Sequence, residues 1–317
     1  MADDQAPVFI DPDVARLLEA SEPVYGRASQ PLAEARAQME EMCRFWNREL
    51  PDLPRVEELV IEGPGGPLRA RMMWPEDETG LPLVVYFHGG GWTLGSIDSH
   101  HRLMRMLALA SGAALLAVDY RLSPEAAFPE PLEDCLAAVG HARARAAALS
   151  IDRGRLVLAG DSAGANLALG SLLALRDRDD LGGVRGAALF YGCYVARTDS
   201  PSHRAFGDGS LRLSTAEMDW FWRNYLGEHG QGHPHAEPLH ADLAGLPPLF
   251  LNCGASDPLL DDSRDLAARL EAVGAPHRYA EYPGLVHGFL QMTLDVAASR
   301  TAMAEAGAAI RDMLGPR

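Results

Sequence analysis

The chain has 317 residues, with 28 basic against 44 acidic side chains and a formal net charge of −16. So acidic a chain repels phosphate backbones, which argues against nucleic-acid binding as its role. With 47 % hydrophobic and 23 % charged residues the composition is that of a folded globular chain. Disordered and fibrous classes are excluded, and the length supports a sizeable core in a single domain, 1–317.

The N-terminus, Met1-Ala-Asp-Asp-Gln, is acidic and lacks the charged-then-apolar pattern of a signal peptide. No apolar run reaches the ~18 residues that a membrane span needs. Cys43, Cys135, Cys193 and Cys253 stand far apart with no C-x-x-C pair. They read as reduced thiols, and the expected location is the cytoplasm.

Along the chain, Asp13–Ala20 and Pro31–Glu49 read as amphipathic helices, closed by Pro51 and Pro54. Arg55–Ile61 and Leu68–Trp74 read as strands, joined into a hairpin by the Gly63-Pro-Gly-Gly-Pro67 turn. From Leu83 short apolar runs alternate with helical stretches. The runs are Leu83–Phe87, Ala114–Asp119, Leu156–Gly160, Gly186–Tyr191, Leu249–Gly254 and His277–Tyr282. The helices between and after them are His101–Ser111, Pro131–Leu149, Asn166–Arg176, Asp262–Gly274 and Thr293–Leu314. Continuous apolar runs suit strands buried on both faces, so this alternation predicts a doubly wound α/β sheet with right-handed crossovers. The last run, His277–Tyr282, is a candidate edge strand and hence a surface for a homodimer.

The stretch between Tyr191 and Leu249 breaks the rhythm. Ser214-Thr-Ala-Glu217 is a capping-box pattern, and Met218, Phe221, Trp222 and Tyr225 follow on one helical face. So apolar a helix needs something to cover. It reads as part of a lid packed on the N-terminal helices, with Phe45 and Trp46 as partners; an ordinary crossover with a long loop is the plainer alternative.

Gly160-Asp-Ser-Ala-Gly164 matches G-x-S-x-G, with a strand before it and a helix after it. A serine on such a hairpin has a strained backbone, and only small side chains fit two positions before and after it. The hydroxyl is then held at the tip of the sheet, at the positive end of a helix. A serine needs a base, and the base an orienting carboxylate. Asp257 and His287 lie just past the next two strands, in the order Ser, Asp, His. Asp261 and Asp262 compete with Asp257 but read as first-turn residues of the following helix. His88-Gly-Gly-Gly-Trp92 follows the strand Leu83–Phe87, and its glycines let backbone N–H groups approach a ligand. With the amide of Ala163 they suit an oxyanion. A phosphate loop would need G-K-[ST], and the chain has no lysine.

With these pieces stand Tyr120-Arg-Leu-Ser-Pro-Glu125, Phe128-Pro129, Glu133-Asp134, Asp257-Pro-Leu259 and His287-Gly-Phe289. Over nearly the whole chain the sequence resembles the hormone-sensitive-lipase-like branch of the α/β hydrolases, which includes the bacterial family IV esterases. The resemblance implies a mostly parallel eight-stranded sheet with helices on both faces. It also implies a helical cap from about 1–50 and about 198–238. It makes Ser162 the nucleophile, His287 the base, Asp257 the orienting acid, and Gly90, Gly91 and Ala163 the oxyanion donors. Ser123 stands where the family usually has Ala. The segment Tyr120–Glu125 is expected to brace the site, and Asp161 to be structural.

Trp92, Phe221, Trp222 and Phe289 are candidate pocket residues. His229, His233, His235 and His240 show no metal-pair spacing, and His203 reads as a solvated loop residue. The expected activity is a serine carboxylesterase acting on short- to medium-chain acyl esters, with no cofactor and no metal. The alternatives are an amidase or aryl formamidase with the same machinery, or a non-catalytic receptor.

Overall fold

The computed structural model describes residues 9–20 and 30–316. The expected hairpin is present as β1 (Arg55–Gly63) and β2 (Gly66–Trp74), antiparallel and in continuous register. Next come β3 (Leu81–Phe87), β4 (Ala114–Val118), β5 (Ile151–Asp161), β6 (Val184–Phe190), β7 (Leu249–Ser256) and β8 (His277–Val286). The eight strands form one sheet in the order β1-β2-β4-β3-β5-β6-β7-β8. The pairs β1–β2 and β2–β4 are antiparallel, and every later pair is parallel.

The β3 side chains show how the sheet divides the core. Leu83, Val85 and Phe87 face one apolar layer, Val84 and Tyr86 the other. The first layer is covered by α4 (Glu130–Ala144), α5 (Ala163–Asp177) and α8 (Leu260–Ala272). The second is covered by α3 (His101–Ser111) and α9 (Ala297–Leu314). Burial on both faces is why these strands read as unbroken apolar runs.

Several boundaries shift for local reasons. α4 stops at Ala144 because residues 145–150 turn into β5 through bonds such as Leu149 N–H to Arg145 O, 2.9 Å. α9 starts at Ala297, since a 3₁₀ turn at Phe289–Met292 intervenes after β8. β1 and β8 are the outer strands. The Ile10 segment bridges to Gly284 at the end of β8, with Asp11 N–H donating to Gly284 O at 3.0 Å.

At the N-terminus lie α1 (Pro12–Ala20) and α2 (Leu32–Trp46). The stretch after β6 carries α6 (Pro201–Phe206) and α7 (Thr215–Leu226). α7 starts on the expected capping box: Ser214 Oγ accepts from Glu217 N–H, and the Glu217 carboxylate accepts from Ser214 N–H at 3.1 Å. Among the described residues no helix is long and apolar enough to cross a membrane. Residues 1–8 and 21–29, part of the region expected to build a cap, lie outside the described residues.

Candidate active site

β5 ends inside Gly160–Gly164, and α5 begins there. Ser162 takes φ +55° and ψ −120° at the bend, and its N–H donates to Phe190 O at 2.8 Å. The glycines permit this. A methyl on Gly160 would run into the Gly164 backbone, and one on Gly164 into the Phe87 carbonyl. The hydroxyl therefore sits at the N-terminus of α5, where the helix dipole favours negative charge.

Asp257 follows β7 and His287 follows β8, and the sheet brings both to Ser162. His287 Nε2 lies 3.0 Å from Ser162 Oγ, and Nδ1 lies 2.9 Å from Asp257 Oδ2. Asp257 is fully buried, and its other oxygen accepts from Leu259 N–H at 2.8 Å. A carboxylate only accepts, so Nδ1 carries the proton and the Nε2 lone pair faces the serine hydroxyl. Asp261 and Asp262 fall in the first turn of α8, as expected. Asp262 instead accepts from Tyr194 N–H and pairs with Arg197 at 3.1 Å.

The glycine loop after β3 turns with φ +118° at Gly90 and +60° at Gly91. Among the described residues none accepts a hydrogen bond from the N–H of Gly90, Gly91 or Ala163. These amides are thus open to an external oxygen. Hydrogen bonds from the 120–125 segment hold the loop. Tyr120 O–H donates to His88 O at 2.8 Å with the two rings stacked at 4.4 Å, and Ser123 N–H donates to Trp92 O at 2.8 Å. Arg36 of α2 ties in a third element. It donates to both Glu125 carboxylate oxygens at 2.8 Å and to Thr93 O at 3.0 Å.

Ser162, His287, Gly90 and Gly91 share a cavity of about 70 Å³. Its apolar wall comes from α2 (Met39, Met42), the loop after β3 (Leu94), Leu213, and α7 (Met218, Phe221). Of the four candidate pocket residues, Phe221 lines this cavity. Trp92, Trp222 and Phe289 do not line the cavity. Trp92 stacks on Tyr225 at 4.2 Å and meets the tilted ring of Trp222 at 4.5 Å behind the wall. Phe289 turns into the core against Tyr191 and Tyr282. Nor do Phe45 and Trp46 meet α7 as expected: Phe45 is exposed, and Trp46 lies under the Arg212 guanidinium. His203 is buried in α6 against Thr215, not solvated.

Sequence reasoning missed the cavity's polar residues His100, Arg212 and Gln291. It expected a structural Asp161, and the structure gives that residue definite partners. Asp161 Oδ1 accepts from Tyr86 O–H at 2.6 Å and Gly89 N–H at 2.9 Å, and Oδ2 lies 3.4 Å from His100 Nε2. Burial opposes both charges. Their mutual attraction more than offsets it, lifting the His100 pKa and lowering that of Asp161. His88, also buried and beside the His100 charge, falls to about 3 and is neutral.

The alpha/beta hydrolase fold family matches this chain over residues 84–291. An acetyl esterase of Salmonella paratyphi B is 37 % identical over 250 residues, 78 % of this chain and 76 % of that protein. The esterase of Pyrobaculum calidifontis superposes with a TM-score of 0.91 at 34 % identity, over 96 % of this chain and 99 % of its own. A thermostable carboxylesterase cloned from a metagenomic library superposes at 0.87 with 35 % identity, over 91 % and 99 %. Family match, relatives and sheet order agree: the chain belongs to the α/β hydrolases, in the hormone-sensitive-lipase-like branch with the bacterial family IV esterases, and is a carboxylic ester hydrolase.

Proposed function

We propose that the chain hydrolyses short-chain acyl esters through a Ser162–His287–Asp257 triad and an acyl-enzyme. The hydrogen-bonded relay from Asp257 through His287 to Ser162, at 2.9 and 3.0 Å, carries this reading. Ser162 Oγ attacks the ester carbonyl as His287 Nε2 takes its proton. The N–H groups of Gly90, Gly91 and Ala163 receive the oxyanion. His287 returns the proton to the departing alcohol. Water, activated by the same base, then releases the acid and restores Ser162.

α2 and the 198–238 stretch act as a cap, since Met39, Met42, Met218 and Phe221 roof the cavity. The small volume and the acetyl esterase relatives both favour a short acyl group. The test is an alkyl phosphonate reagent together with p-nitrophenyl acetate. One equivalent of label on Ser162, with loss of hydrolysis in step, is the expected result. Labelling elsewhere, or hydrolysis surviving full labelling, overturns the assignment.

A further inference from the structure

Asp161 presents an electrostatic problem. It adjoins the nucleophile, is 3 % exposed, and lines the same cavity in which a negative oxyanion must form. An uncompensated carboxylate there would oppose the reaction. It also organises the oxyanion loop. Its Oδ1 accepts from Gly89 N–H, one residue before the proposed donors, and its carboxylate packs so close to Gly89 that a methyl there would overlap it.

The hydrogen-bond pattern around His100 shows what compensates it. Ser99 Oγ donates its one proton to Ser96 O at 2.7 Å, because a carbonyl only accepts. Toward His100 Nδ1, at 2.8 Å, Ser99 Oγ is then the acceptor, so Nδ1 carries hydrogen. Nε2 faces the Asp161 carboxylate oxygen at 3.4 Å, an acceptor again. A second proton on Nε2 makes His100 an imidazolium, the form that the adjacent Asp161 carboxylate favours. The Gln291 amide nitrogen stands 3.2 Å from the same Nε2. An end-for-end turn of that amide presents its oxygen, so that the single Nε2 proton is shared between Gln291 and Asp161. The turn gives up the 3.4 Å bond from Arg212, whereas a bare Nε2 would leave a buried carboxylate without a counter-charge. Besides Asp161, His100 faces neutral His88 at 5.6 Å between ring centroids, and Glu40 of α2, which accepts from Ser96 Oγ at 3.1 Å.

We infer that His100 and Asp161 form a second, non-catalytic His–Asp pair. In it Asp161 positions the oxyanion loop through Gly89, and His100 cancels the charge that this positioning would otherwise place beside the oxyanion. The inference rests on the proposed triad. Both residues are positioning residues, and the effect belongs to the transition state, which alone carries the oxyanion.

The experiment measures kcat and KM for p-nitrophenyl acetate in His100→Gln, Asp161→Asn and the double variant. Folding is checked by thermal unfolding, and Ser162 by phosphonate labelling of the unaltered protein. His100→Gln is expected to lower kcat by roughly 10- to 100-fold with KM within about twofold, less than the ~10²–10³ that follows when an oxyanion donor itself is removed. The double variant, lacking the buried charge, is expected to recover most of that loss. Losses that simply multiply, or a changed KM at constant kcat, overturn the inference. If His100→Gln does not fold, Tyr86→Phe removes a neutral donor from the same Asp161 oxygen. It is expected to lower kcat several-fold at constant KM, and an unchanged kcat refutes the positioning role. Failure of these tests with Ser162 still labelled refutes the pair and leaves the triad standing.

Discussion

In the proposed reading the roof over Ser162 sets the longest chain the site can take. A dry cavity of ~150 Å³ accepts a guest of benzene size, six heavy atoms. The 70 Å³ here scales to roughly three carbons beyond the carbonyl, so butyrate is near the limit. Each buried methylene contributes ~0.8 kcal/mol, about fourfold in kcat/KM, until the space is full. Phe221, 4 % exposed and directly over Gly91, is the wall residue whose removal frees most volume. Two series of esters are assayed: p-nitrophenyl esters of lengthening acids, and acetates of lengthening alcohols. In the unaltered protein kcat/KM should climb about fourfold per carbon and turn over near four carbons in one series. Phe221→Ala should move that maximum out by two or more carbons. Its stability cost, up to ~3–5 kcal/mol for a buried Phe, is followed by thermal unfolding, with Phe221→Leu as the milder variant. A maximum beyond eight carbons in the unaltered protein, or one that stays put in both series after Phe221→Ala, refutes the closed roof.

Ser162→Ala and His287→Ala should each lower kcat by ~10³-fold or more, and the double variant should be little slower than either single, because triad members act as a unit. Activity within tenfold of normal in either single variant removes that residue from the machinery. Gly91→Ala places a methyl against the Phe221 ring at φ +60°, so kcat should fall more than tenfold in a folded protein. Adding Phe221→Ala should restore little, since the backbone strain stays; full recovery would put the effect in the clash alone. Burial lifts Asp119 from 3.8 to about 6, against the Ile97 N–H and Arg69 that favour its charge. Between these values the folded chain keeps a proton that the unfolded chain has released, so stability falls as pH rises from about 4 to about 6 and is level above. Denaturant unfolding of Asp119→Asn should lack that slope. The difference between the two proteins should change by on the order of 1–3 kcal/mol across the window, the lower figure allowing for partial exposure. A constant difference refutes the shift.

What was legible in the sequence was local. The apolar runs of β3 to β7 announce themselves because both faces are buried. The bend at Ser162 is readable because Gly160 and Gly164 are required by the chain's contact with itself. The capping box of α7 is complete within four residues. The pocket was not legible in this way. Trp92, Phe221, Trp222 and Phe289 are equally aromatic and close to the motifs, yet only Phe221 meets the cavity. A rotation of one residue along α7 sends Trp222 toward Trp92, and that angle is fixed by packing rather than by composition. Met39 and Met42 look like any amphipathic stripe until α7 comes to lie opposite them. His100, the N-cap of α3, and Asp161, at the end of β5, are far apart in the chain and meet only through the fold. The one local hint was a histidine at the start of the helix after the glycine loop.

The net charge of −16 looks ill-suited to a reaction that creates a further negative charge, and the arrangement around Ser162 shows why it is not. Exposed carboxylates beyond about 8 Å are screened by salt, so the surface excess reaches the oxyanion weakly. Buried carboxylates are not screened, and two lie beside the nucleophile, Asp161 and Asp257. In the proposed triad Asp257 serves the reaction, since its attraction for the imidazolium grows as His287 takes the proton from Ser162. Asp161 has no such return, and its cost must be met in the resting protein. His100 meets it through a direct ion pair, while Gly89 N–H and Tyr86 O–H occupy the other oxygen. In the proposed mechanism, what remains facing the developing charge is the N-terminus of α5 and the three open amides. The site is therefore locally ready for an anion within a strongly acidic chain, and it gets there by pairing its buried charges rather than by adding cations.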